Sequence, residues 1–120
     1  MHNTNSVQNA VNDGASTSEV LSTLELGVDE FATLLGIPRD AVERFATGRQ
    51  TPATGVRPRM RPFVVLALRL NGSFDREDIP RWLAAPNRAL DGRTPAHVIR
   101  TGDVASVLGA IDAVEWGIYV

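Results

Sequence analysis

A chain of 120 residues, 43% hydrophobic and 22% charged, has the composition of an ordinary globular protein, built as one compact unit or as two half-size ones sharing a core. With no cysteine it excludes disulfides, thiol nucleophiles, zinc fingers and iron–sulfur ligation, and it fits a reducing compartment. Its net charge of −2 conceals a split: residues 1–36 carry five acids and no arginine, residues 37–61 six arginines against two acids, and the remainder six against seven. A basic island therefore sits in the middle of an acidic chain. All twelve basic residues are arginine, whose planar fork suits phosphate and carboxylate, although a GC-rich genome produces the same bias.

Residues 1–16 are rich in Asn, Ser, Thr and Gly and have neither a basic start nor an apolar stretch. They predict a disordered lead-in and not a secretion signal, hence a cytoplasmic protein. The longest apolar run, Phe63 to Leu68, is far short of the ~20 residues a membrane span needs, so no membrane partner is expected.

In VDEFATLLGIPRDAVERFATG, Val28, Phe31, Ala32 and Leu35 follow the i, i+3, i+4, i+7 spacing of a helix, and Gly36 supplies the left-handed residue for a sharp turn. A second helix begins around Pro38, turns Ile37, Ala41, Val42 and Phe45 inward, and ends at Gly48. Helix, glycine turn and helix make the plan of a helix-turn-helix, whose second helix enters the DNA major groove. A plain helical hairpin with a solvated charged face is the alternative. The outward residues Arg39, Asp40, Glu43, Arg44 and Thr47 include types that contact phosphates and base edges. With the flanking Arg49, they make Arg39, Arg44, Thr47 and Arg49 the candidate DNA-binding residues. Asp40 and Glu43 oppose phosphate, so binding must draw on the local field or on dimerisation.

Pro58 and Pro62 do not both sit comfortably in one helix, so the next helix is predicted to start near Pro62. Phe63 to Leu70, apolar on nearly every side apart from Arg69, predicts a central buried helix that Asn71-Gly72 ends. A short helix follows, capped by Asp78, with Pro80 in its first turn and Trp82 and Leu83 inward, until Pro86-Asn87 stops it. After a turn at Asp91-Gly92, Thr94 caps a helix that carries Pro95, Val98 and Ile99 and closes at Gly102. The last helix starts at Asp103 with the stripe Val104, Val107, Leu108 and Ile111, and Gly117 releases the apolar, β-prone tail Ile118-Tyr119-Val120. The fold class expected is all-α.

Two stretches resemble known families. FATLLGIPRDAVERFATGRQTP, Phe31 to Pro52, with its Gly36 turn and terminal aromatic Phe45, resembles the helix-turn-helix of the Xre, phage-repressor-like family. The order Trp82-Leu83, Pro86-Asn87, Leu90, Gly92, Thr94-Pro95, Ile99, Gly102, Val107 and Ile111 resembles the toxin-binding domain of the MbcA/ParS/Xre antitoxins over residues 79–117. The Xre-like segment precedes that domain, as it does in the family. The resemblance implies a lead-in over 1–16, a helix-turn-helix region over 17–72 and a toxin-binding domain with its tail over 73–120. It also implies a partner toxin of the RES class, which consumes NAD, or a related ADP-ribosyl transferase, neutralised by covering its active site.

Autoregulation through operator DNA and a homodimer, or a hetero-oligomer with toxin, belong to the same expectation. The candidate toxin-binding residues are Arg93, Arg100, Trp116, Gly117, Ile118, Tyr119 and Val120. In a cleft that accepts a nucleotide, Tyr119 would stand in for a flat ring and the Val120 carboxylate for a phosphate. The prolines at 58 and 62 depart from the family pattern and leave the orientation of the two halves open. The alternative function is a stand-alone Xre-family repressor that uses its C-terminal half to dimerise.

An enzyme is not expected. His2 lies in the lead-in, His97 has no carboxylate one helical turn away, and no paired acids, phosphate loop, nucleophile elbow or metal cluster stands out. No cofactor is called for.

Overall fold

A computed structural model describes residues 16–117, which fold as seven helices with no strand. The first, α1, is helical from residue 16 to 23; the rest of the predicted lead-in lies outside the described residues. The sequence pattern did not announce α1, because Ser and Thr fill it. It is helical because Thr17, Val20, Thr23 and Leu24 share one buried face. There follow α2 (Val28–Leu35), α3 (Arg39–Ala46), α4 (Arg57–Ser73), α5 (Ile79–Ala84), α6 (Pro95–Arg100) and α7 (Val104–Glu115). Tight turns Arg76–Asp78 and Arg88–Leu90 flank α5.

The turns are built as their residues dictate. Gly36 has φ 68°, its N–H donates to Thr33 O at 3.2 Å, and Ile37 N–H reaches back to Ala32 O at 3.0 Å, the paired bonds that close a helix on a left-handed residue. Gly48, at φ 78°, ends α3 in the same way. Thr94 Oγ1 accepts from His97 N–H at 3.1 Å to cap α6, and Asp103 Oδ1 accepts from Ser106 N–H at 3.2 Å to cap α7. Asp78 does not cap α5 with its side chain; that carboxylate turns instead to Arg81, 3.3 Å away.

Helix α4 departs most from expectation. It starts at Arg57, well before Pro62, and carries Pro62 inside it. Pro58 falls in the first turn, where its missing N–H would have had no helical partner, so Pro62 alone forfeits a bond, at about 3 kcal/mol. Against that, Met60, Phe63, Leu66 and Leu70 are all at least 95% buried, each contributing about 1.5–3 kcal/mol on area grounds. Burial wins, and the helix runs through. Asn71 and Gly72 do not end it, because Asn71 Nδ2 donates to Glu19 Oε2 (2.9 Å) and Thr23 Oγ1 (3.1 Å) on α1 instead of capping. The helix ends at Ser73, one residue past Gly72, before an extended Phe74. Nor is α4 buried all round, since Val65 and Leu68 face solvent, Leu68 at 64% exposure.

Helix α4 packs chiefly on α7, α2 on α3, and α6 on both α5 and α7. A single apolar cluster runs from Val20 and Leu24 through Phe31, Phe45 and Leu66 to Ile99, Val107 and Ile111, so the two halves share one core. Phe31 of α2 meets Phe63 of α4 edge-on, with ring centroids 5.3 Å apart. None of the described helices is long and apolar enough to cross a membrane.

Candidate functional site

The α2–turn–α3 hairpin exposes the predicted DNA face. Arg39, Asp40, Glu43, Arg44, Thr47 and Arg49 are all solvent-exposed, while Ala41, Val42 and Phe45 are buried beneath them. The exposed face is partly self-neutralised. Arg39 Nε donates to Asp29 Oδ1 at 2.6 Å and its Nη1 to Glu43 Oε1 at 3.1 Å, and these carboxylates hold the guanidinium's proton more firmly than usual, Asp29 foremost. Arg44 Nε donates to Gln50 Oε1 at 2.6 Å, and the Thr47 hydroxyl donates to Glu43 O at 3.0 Å. Arg49 is exposed, and its side chain has no hydrogen bond or ion pair among the described residues.

Not all of the basic island is available to a ligand. Arg59 reaches from α4 to the turn of the hairpin, its Nη1 donating to Leu35 O at 2.7 Å while Nε donates to Gly55 O at 3.3 Å. It satisfies an end carbonyl of α2 and pins the turn to α4. Arg57 Nε donates to Pro52 O at 3.1 Å and secures the preceding loop. Composition reveals the charge of this segment but not which arginines serve the fold.

The structure divides the candidate toxin-binding residues into two groups. Arg93 and Arg100 lie beside the start of α7. Arg93 Nε donates to Leu90 O at 3.1 Å, and its charge adds to the Ser106 hydrogen bonds that chiefly hold the Asp103 carboxyl below its ordinary range. Arg100 Nε donates to Glu30 Oε2 at 2.6 Å and its Nη2 to Glu25 O at 3.0 Å, across a sequence separation of 70 residues or more. Trp116 and Gly117 lie at the other end of α7, whose twelve residues span about 18 Å. Trp116 is 79% exposed and Gly117 has φ 69°. Ile118, Tyr119 and Val120 lie outside the described residues.

Around that far end the surface is apolar in a way the sequence pattern missed. Val65, Leu68, Val114 and Trp116 are the large hydrophobic residues that the described chain leaves exposed, and all lie on α4 or the last turns of α7. One open groove is lined by Val65, Leu68, Arg69, Gly72, Ser73 and Glu115. A second lies between α5 and α7, where Trp82, Pro86, Ala110 and Val114 meet. Trp82 is thus half-buried, its ring tilted 35° against that of Phe74 with centroids 5.2 Å apart and its other side on the groove, and is not the core residue that its inward position predicts. At the first groove, Arg69 Nη2 donates to Asp112 Oδ1 and Glu115 Oε1, both at 2.7 Å, and the Ser73 hydroxyl donates to Glu115 Oε2 at 2.6 Å. These bonds tie the end of α7 to α4.

His97 is exposed; its backbone N–H donates to Thr94 Oγ1 and its carbonyl accepts from Thr101 N–H, and its imidazole has no hydrogen bond among the described residues. Among the described residues no group of His, Asp and Glu is gathered as a metal would require.

Comparison with known proteins matches this arrangement in both halves. Residues 73–117 match the Antitoxin Xre/MbcA/ParS C-terminal toxin-binding domain. The mycobacterial cidal antitoxin MbcA, from Mycobacterium bovis and from Mycobacterium tuberculosis, is 31% identical over 111 residues, covering 92% of this chain and 98% of the relative. The fold superposes on a chain of the crystal structure of the M. tuberculosis MbcT–MbcA toxin–antitoxin complex with a TM-score of 0.63 and 27% identity, over 89% of this chain and 96% of that one. Identity of this level over nearly the whole of both chains, with the toxin-binding domain in its expected place, shows that the chain belongs to the Xre/MbcA/ParS antitoxin family.

Proposed function

We propose that this antitoxin neutralises a RES-type, NAD-degrading toxin, or a related ADP-ribosyl transferase, by covering its active site, and represses its own operon through the α2–α3 hairpin. The observation that carries the first part is the end of α7. A tryptophan 79% exposed, followed by a left-handed glycine and an apolar tripeptide, is costly to leave in water and suits insertion into a partner's cleft. Likeness over nearly full length to MbcA, whose crystal structure is a complex with MbcT, supports a protein toxin as that partner. The contact proposed runs through Trp116, Gly117, Ile118, Tyr119 and Val120, with Arg93 at its margin. Arg100 is already spent on Glu30 and Glu25.

Deleting residues 118–120 tests the insertion. A buried aromatic anchor is commonly worth about 2–4 kcal/mol, so the truncated chain should bind the cognate toxin roughly 30- to 1,000-fold more weakly and fail to stop NAD loss at equimolar concentration. Full neutralisation by the truncated chain removes the tail from the mechanism. An unchanged titration with a lowered melting midpoint means that the tail packs on its own core.

A further inference from the structure

Helix α4 and the end of α7 leave an apolar groove that nothing in the described chain fills. It is lined by Val65 and Leu68, 39% and 64% exposed on a helix whose other face, Phe63, Leu66 and Leu70, is core. Gly72 lines the same groove, and a Cβ there would meet nothing within 4 Å, so a peptide backbone can come close to α4 at that point. The charged groups at its edge are already matched, since Arg69 binds Asp112 and Glu115 and the Ser73 hydroxyl takes the second Glu115 oxygen. An open space of about 360 Å³ lined in this way suits an uncharged, apolar guest.

The chain supplies such a guest beside the groove. Glu115 lines the groove, and two residues on, Gly117 has φ 69° and donates its N–H to Val114 O at 3.1 Å, which closes α7. Ile118, Tyr119 and Val120 follow, with no charged side chain among them. Three residues extend to about 10 Å. Gly72 and Val65, at the two ends of the groove, are seven residues apart on α4, or about 10 Å along its axis. The segment is therefore long enough to cover the groove from its Glu115 side.

We propose that the groove between α4 and α7 is the docking site of this chain's own residues 118–120 when no other partner is bound. Docked, the segment takes Val65 and Leu68 out of water together with its own side chains, so a chain without a partner shows less apolar surface. The inference goes beyond the toxin-binding reading. Where that reading also holds, toxin draws the segment out of the groove, and the apparent affinity of the free chain is lowered by the fraction that is undocked.

The full chain without any partner provides the test, and Tyr119, its one tyrosine, provides an unambiguous ring signal in solution NMR. Nuclear Overhauser contacts are expected from the Tyr119 ring or the Ile118 methyls to the methyls of Val65 and Leu68. Amide exchange at residues 119 and 120 should be slowed about 10-fold or more relative to an unstructured peptide. Leu68→Ser should abolish the contacts and bring exchange to within about two-fold of that peptide, with the amides of Val107 and Ile111 unchanged. Val114→Ser, which alters only the second groove, should leave contacts and exchange as in the natural chain.

Unprotected amides in the natural chain, contacts to Trp82 or Ala110 of the second groove instead, or protection that survives Leu68→Ser overturns the proposal. So do contacts that run only between molecules in a mixture of labelled and unlabelled chains, because the groove then receives a second copy. If Leu68→Ser also loosens the amides of Val107 and Ile111, Val65→Ser is read in its place with the same outcomes. None of these readings uses toxin, so failure of the docking and failure of the toxin-binding reading are told apart.

Discussion

Single residues show how position decides what a side chain is for. Tryptophan at position 82 reads as core from its helical register, but it lies against Phe74 on one side and an open groove on the other. Removing a fully buried aromatic costs about 3–5 kcal/mol, and half-burial reduces this, so Trp82→Ala is expected to destabilise the chain by about 2–3 kcal/mol in a denaturant melt. A loss above about 4 kcal/mol would mean that the groove is closed in solution. Arginines divide in the same way. Arg57, Arg59 and Arg100 each hold a backbone carbonyl of a neighbouring segment, whereas the Arg49 side chain has no such bond among the described residues. Residue type announces all of them alike; only their distances to carbonyl and carboxylate oxygens separate structural from available cations.

At the scale of elements, short signals placed most helices. Gly36, Gly48, Thr94-Pro95, Asp103 and Gly117 act through backbone groups within six residues, and α2, α3, α6 and α7 lie where those signals put them. The two elements that local pattern mishandled, α1 and α4, owe their extent to burial against distant partners. Pro62 marks the conflict most sharply, since it is exposed and contributes little packing while removing one hydrogen bond from the helix. Restoring its hydrogen bond recovers up to about 3 kcal/mol, and the freer unfolded chain gives back up to about 1 kcal/mol. Pro62→Ala should therefore raise stability by about 1–2 kcal/mol, seen as a higher denaturant midpoint with an unchanged slope. A lower midpoint would show that the proline shapes the packing of α4.

On the whole-molecule scale, the question is how an acidic chain would hold DNA as proposed. Its basic island, residues 37–61, holds six arginines against two acids, and Asp29 and Glu43 already draw on Arg39. Arg44 and Arg49 therefore carry most of the phosphate attraction in the proposed interface. Arg44→Ala and Arg49→Ala should each weaken operator binding and flatten its salt dependence by about one unit of slope, without lowering the melting midpoint. Gel shifts at several salt concentrations read both effects, and unchanged binding by both variants would remove α3 from the interface.

Local signals in this sequence were enough for an all-helical chain, a glycine-turned helix pair and three C-terminal helices, two of them capped by side chains. Caps and turns are hydrogen bonds between near neighbours, so their chemistry is written in adjacent residues. Other features formed only when the chain closed on itself: the helix over residues 16–23, the run of α4 through Pro62, and the exposure of Leu68 beside Glu115. To these belongs the meeting of Arg100 with Glu30 across 70 residues. Each depends on apolar burial or on a charge pair summed over parts of the chain far apart in sequence, and no window short enough to show a cap contains both partners.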